Sequence, residues 1–198
     1  MGATEELKYS VEEYLALDEA GEKEGKRYEF HDGEVFLVSD ASIQHNQVLN
    51  AAASSLSYSL KGKPCQILSS SQKVNVQKKS FYCYPDILAV CGKIETLGTV
   101  SNIITNPTVI IEILSASTQD YDRGEKFRLY RNIASLKEYI CLSSLRISME
   151  MYVRQPNDFW VLKEYNALTD SITIASLELQ LSLGEVYEKV TFEENYGL

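Results

Sequence analysis

The run Thr108-Val109-Ile110-Ile111-Glu112-Ile113-Leu114 constrains this chain more than any other segment. It is apolar at odd and even positions alike, so as a strand it is buried on both faces, in a sheet covered on both sides. An ionised carboxylate in its middle costs on the order of several kcal/mol unless something pairs with it or binds it. Three arrangements satisfy Glu112: a buried salt bridge to Arg123 or Arg128, a strand end where the side chain reaches water, or a metal ion.

The rest of the chain supplies what such a strand needs. Ser10-Val11-Glu12-Glu13 is a capping box that opens a helix over about residues 10–20. Residues 27–30 and 34–38 read as strands joined by His31-Asp32-Gly33, a tight hairpin turn. His45, Leu49, Ala52, Leu56 and Leu60 share one face of a helix over 42–60, closed by Gly62 and Pro64. Strands are expected at 65–76, 84–91 and 108–114. Asp122-Arg123-Gly124-Glu125 then resembles a cap, with Asp122 as N-cap of a helix to Ile133 that turns Phe127, Tyr130 and Ala134 inward. Further strands at 138–143, 147–154, 158–165 and 177–181 precede a short helix at 184–189. This order implies an α/β (α+β) fold, a central mixed sheet flanked by helices with an N-terminal helix and hairpin and extra C-terminal strands. Its 198 residues contain no repeat or linker, which makes residues 1–198 one expected domain, large enough to build a core without disulfides.

Charge and cysteine usage narrow the function classes. With 19 Lys and Arg against 28 Asp and Glu, the net charge of -9 argues against a protein held on phosphate or anionic lipid by its overall field, while leaving room for a local basic groove. Cys65, Cys83, Cys91 and Cys141 form no CxxC pair and no zinc spacing, and read as reduced, mostly buried thiols of a cytoplasmic protein. No apolar stretch approaches the ~20 residues that span a bilayer.

Several further residues sit where bland chemistry is strained. Tyr84-Pro85-Asp86 places an acid at the mouth of the apolar strand Ile87-Leu88-Ala89-Val90; Pro-Asp is ordinary turn chemistry, but beside Glu112 it offers a second oxygen ligand for a divalent cation. Lys126 falls in the first turn of the expected helix, where the dipole disfavours a cation unless an anion is near. Glu29 alternates with Tyr28 and Phe30 on a short strand and suits a solvated face. His45 lies on the apolar face of its helix, as a packed histidine or a group supporting a site. Glycine-rich phosphate loops, GxSxG and HExxH are absent, and nothing ties either histidine to Ser115 or Ser117 as a nucleophile pair.

Taken together, Tyr28-Glu29-Phe30-His31-Asp32-Gly33-Glu34, His45, Pro85-Asp86, Glu112-Ile113-Leu114-Ser115, Asp122-Arg123-Gly124-Glu125-Lys126 with Tyr130, and Lys137-Glu138-Tyr139-Ile140 resemble the Uma-two family of restriction-endonuclease-like proteins, a branch of the PD-(D/E)XK nuclease superfamily. The resemblance implies that Asp86, Glu112 and the carbonyl of Ile113 hold Mg²⁺ or Mn²⁺. It also implies that Lys126 replaces the superfamily lysine, because Leu114 stands where that lysine normally lies, and that Glu29 is an additional acid. His45 and Tyr130 would support these groups. The expected activity is metal-dependent hydrolysis of DNA, leaving a 5′-phosphate, by a chain that could act as a homodimer because cutting both strands takes two sites. The alternatives are a catalytically silent nuclease-fold binding or regulatory module that acts with a partner and, from a third class, a small-molecule hydrolase.

Overall fold

The computed structural model describes residues 8–69, 71–77, 80–98 and 100–192. Helix α1 (Val11–Glu22) starts from the expected capping box, with Ser10 and Glu13 exchanging side-chain and backbone hydrogen bonds. Strands β1 (Tyr28–His31) and β2 (Glu34–Leu37) form the antiparallel hairpin, with Asp32 and Gly33 both at positive φ in the turn. Helix α2 (Ile43–Ser59) follows, capped by Ser42.

The mixed α/β architecture is present, but its strands divide between two six-stranded sheets and a two-stranded one. The run read as one strand over 65–76 is the reason. It forms β3 (Cys65–Ser69) in one sheet and β4 (Lys73–Val76) in the other, and the chain crosses over in the polar stretch between them. Four short strands escape the sequence reading: β5 (Phe81–Cys83), β7 (Thr96–Leu97), β8 (Val100–Ile104) and β13 (Ser171–Ile174). With β6 (Ile87–Cys91), β9 (Val109–Leu114), β10 (Glu138–Ser143), β11 (Met149–Arg154), β12 (Trp160–Tyr165) and β14 (Leu179–Ser182), the first sheet runs β2-β1-β5-β4-β8-β7 and the second β12-β11-β10-β9-β6-β3.

Every residue of β9 is buried, as its two-sided apolar pattern requires. Ile111 and Ile113 pack toward α2 and the C-terminal hairpin; Ile110 and Leu114 pack on the other face against Phe127, Leu129 and Tyr130. Alternation therefore turns Glu112 toward the second face. The parallel pair β9 and β10 is joined by one helical segment: α3 (Gln119–Tyr121), a π-helical turn (Asp122–Lys126) and α4 (Phe127–Tyr130). Asp122 is consequently inside the segment and buried instead of capping it, the helix ends at Tyr130, and Ile133 takes the inward place expected for Ala134, which is exposed. Lys126 lies beyond the first turn, so the dipole conflict inferred for it does not arise. The last helix, α5, spans Leu183–Tyr187.

The cysteines correct a second expectation. Cys65 and Cys91 are bonded across the antiparallel pair β3 and β6, where the register sets them directly opposite each other; Cys83 and Cys141 are the buried free thiols. Among the described residues, no helix is long and apolar enough to cross a membrane. Alkylation of denatured, unreduced protein should label two thiols and label four after reduction, counted by mass spectrometry. Reduction should also cost roughly 3 kcal/mol of stability, from the loop-closure entropy of a 26-residue separation.

Candidate active site

The register of β6 on β9 pairs Ile87 with Ile111, which brings the preceding Asp86 beside Glu112. The two acids interlock through backbone amides. Asp86 N–H donates to Glu112 Oε2 at 3.2 Å, and Ile113 N–H donates to Asp86 Oδ2 at 2.8 Å. Pro85 holds the approach to β6 extended. Across from this pair the helical segment delivers two groups to Glu112 Oε1: the Tyr130 hydroxyl donates at 2.8 Å, and Lys126 Nζ lies at 3.1 Å. The partner of Glu112 is thus Lys126; Arg123 pairs with Glu150 and Arg128 with Glu125.

Lys126 is 6% exposed and faces three acids. Besides Glu112 these are Glu29 at 3.2 Å and Asp122 at 3.7 Å. Glu29 is buried, not solvated, because β1 is covered on both faces, and its Oε1 also accepts from Tyr84 N–H at 3.0 Å. His45 comes from the first turns of α2, with Nε2 at 3.3 Å from Asp86 Oδ2 and Nδ1 buried without a hydrogen-bond partner among the described residues. Every sequence-derived candidate therefore converges on one place: Glu29, His45, Asp86, Glu112, Ile113, Lys126 and Tyr130. Asp122 joins them as a site acid; its four-residue step to Lys126 reads from sequence as a cap and a surface pair, whereas both residues are buried.

Four carboxylates, three of them around the one ammonium, make a site short of positive charge. Burial pushes the Glu112 carboxyl well above its usual range, Lys126 opposes that shift, and Asp122, Asp86 and Glu29 add to it. Burial likewise raises Asp122 against the pull of Lys126. For Lys126 burial opposes the charged form, but Glu112, Glu29 and Asp122 outweigh it and hold its affinity for the proton well above the ordinary lysine value. Its acidic neighbours therefore favour Lys126 as a cation and hydrogen-bond donor.

Among the described residues, no three His, Cys, Asp or Glu side chains close in tightly enough to enclose a metal by themselves. The donor chemistry nevertheless fits a hydrated divalent cation, which takes one or two carboxylates and keeps several waters. Adjacent Asp86 and Glu112 repel unless a cation offsets them, and Asp86, at 22% side-chain exposure, is the most solvent-accessible of the four acids.

A family profile described as "Putative restriction endonuclease", Uma2, matches residues 11–184. The chain belongs to the Uma2 family. The match extends from the first residue of α1 into α5 and contains all the residues gathered here. Two Synechocystis proteins are relatives: uncharacterized protein slr1290, 29% identical over 185 residues (93% of this chain, 94% of the relative), and uncharacterized protein sll1609, 27% identical over 152 residues (77% and 84%). The fold is similar to the crystal structure of a "putative nuclease belonging to DUF820" from Anabaena variabilis, with a TM-score of 0.75 and 15% identity, covering 92% of this Uma2 chain and 99% of that one.

The raised carboxyls make a stability prediction with a definite sign. An acid whose value is raised by folding costs the folded state nothing below its unfolded value, 4.5 for Glu112, and an increasing amount as pH climbs toward the raised value. Lys126, raised from 10.5, stays charged and stabilising throughout that window. The stability of metal-free Glu112→Gln relative to wild type should accordingly rise as pH climbs from the ordinary carboxylate range toward neutrality, as measured by thermal melts of both across pH.

Proposed function

We propose that this protein is a metal-dependent endonuclease that hydrolyses phosphodiester bonds of DNA. The observation that carries the reading is the interlocked pair Asp86 and Glu112 on adjacent strands, with the Lys126 ammonium in hydrogen-bond reach of Glu112. Membership of a restriction-endonuclease family supports it, as does the nuclease description of the similar Anabaena protein.

Asp86, Glu112 and the carbonyl of Ile113 would hold Mg²⁺ or Mn²⁺, which when bound supplies charge for the phosphate and acidity for water. The chain's own groups do the rest. Tyr130 and the Asp86 amide fix the two oxygens of Glu112, so its rotamer is set before any ligand arrives. Glu29 and Asp122 keep Lys126 protonated and aimed along the Glu112 edge, from where its ammonium can donate to a phosphate oxygen as negative charge builds there. His45 Nε2 lies 3.3 Å from Asp86 Oδ2, near enough to steady it. The protein's charge of -9 gives no general attraction for DNA, so its grip would rest on local Lys and Arg contacts to phosphate, which salt weakens, and activity belongs at low ionic strength.

Wild-type protein should nick supercoiled plasmid at low salt with Mg²⁺ or Mn²⁺ and stop on adding a chelator. Glu112→Ala and Lys126→Ala should each lower the rate at least about 100-fold. Equal cleavage by these variants would place the activity elsewhere. Cation binding without cleavage of any nucleic acid would favour the silent binding module.

A further inference from the structure

Outside the acids just described, the described residues hold one more fully buried charge pair, and it does not touch the site. Asp18 on α1 is 0% exposed and forms an ion pair with Lys73 on β4, itself 5% exposed. The two oxygens of Asp18 also accept from two other parts of the chain. Oδ1 takes Tyr28 N–H at 2.8 Å, and Oδ2 takes the Tyr84 hydroxyl at 2.6 Å. Tyr28 immediately precedes Glu29, and Tyr84 lies two residues before Asp86 with only Pro85 between. One carboxylate thus fastens the approaches to two of the four site acids.

Tyr84 is the junction of this arrangement. Its hydroxyl reaches back to Asp18, with Glu22 at 3.3 Å, and the Lys73 ammonium lies 5.5 Å from its ring centre. Its backbone N–H donates forward to Glu29 Oε1, the same oxygen that meets Lys126. Because Pro85 is rigid and brings no N–H of its own, the placement of Tyr84 is transmitted to Asp86 through a stiff link. Replacing a pair buried this deeply by apolar residues of the same volume is often neutral or stabilising, so stability alone does not account for it.

We propose that Tyr84, anchored by Asp18, is a positioning residue that sets Asp86 and Glu29 for the cation and for Lys126. This rests on the metal-dependent reading above. Groups behind the direct ligands commonly change metal affinity by about 10- to 100-fold when removed.

The test is Mn²⁺ binding to the full chain without nucleic acid, by calorimetry, for wild type, Tyr84→Phe and Tyr187→Phe. The Tyr187 hydroxyl is buried too, donating to the carbonyls of Ser143 at 2.9 Å and Ser148 at 2.8 Å, so its loss is a matched control for a missing buried hydrogen bond. Tyr84→Phe should weaken Mn²⁺ about tenfold, and Tyr187→Phe should leave it unchanged at a comparable loss of melting temperature. Amide hydrogen exchange at Asp86 and Ile113, the donors that interlock the acids, should quicken in Tyr84→Phe alone. Wild-type binding with no loss of affinity in Tyr84→Phe overturns the positioning role and leaves the nuclease reading intact. Wild-type protein that binds no Mn²⁺ overturns the metal reading and this inference with it.

Discussion

The ammonium of Lys126 is the charge on which this architecture turns. Glu29, Glu112 and Asp122 come from a hairpin strand, a fully buried strand and the helical segment itself, and they are brought within 4 Å of a single cation. Remove that cation and three acids with little solvent access face one another. Its presence ties the first sheet, through Glu29, to the second, through Glu112. Asp122 and Lys126 both lie in the π-helical turn and both are buried. Such turns recur at functional sites because they redirect side chains without ending a helix.

One lysine does not balance four carboxylates, and the surplus acids explain why the site is costly to fold. Glu112 and Asp122 are raised by burial and by their acidic neighbours, so the fold bears a penalty that, under the proposed function, a divalent cation would relieve. A protein selected only for stability would pair these acids one to one or replace them with apolar residues. The interlock of Asp86 and Glu112 through main-chain amides keeps the acids adjacent despite their repulsion. Preorganisation of this kind means that the cost of bringing the charges together is met on folding and not on binding.

Much of this was legible in the chain because charge stands out against an apolar background. Glu112 within an aliphatic run and Asp86 at the mouth of another pointed to a site before any contact was known, and Lys126 was singled out even though the dipole argument for it depended on a helix start that lies elsewhere. Asp122 was hidden by mimicry, since Asp-x-x-Glu reads as a cap. Asp18 and Lys73 were silent because each occupies a position where a solvated charge is normal. Cys65 and Cys91 gave no hint of pairing, for the register that sets them opposite is a property of two strands and not of either one.

Local pattern by itself therefore determined the capping box of α1, the hairpin, the amphipathic α2, the double-sided burial of β9 and the demand that Glu112 be satisfied. Each follows from periodicity or from the energy of a charge in an apolar run, and both are carried by neighbours in sequence. Tertiary structure decided which sheet each short strand joins, that Lys126 and not an arginine answers Glu112, and that Asp18 holds Tyr28 and Tyr84 on the approaches to two distant acids. The reason is physical: a buried charge announces from sequence that it needs a partner, but which partner it finds depends on strand register and helix placement set by the whole core.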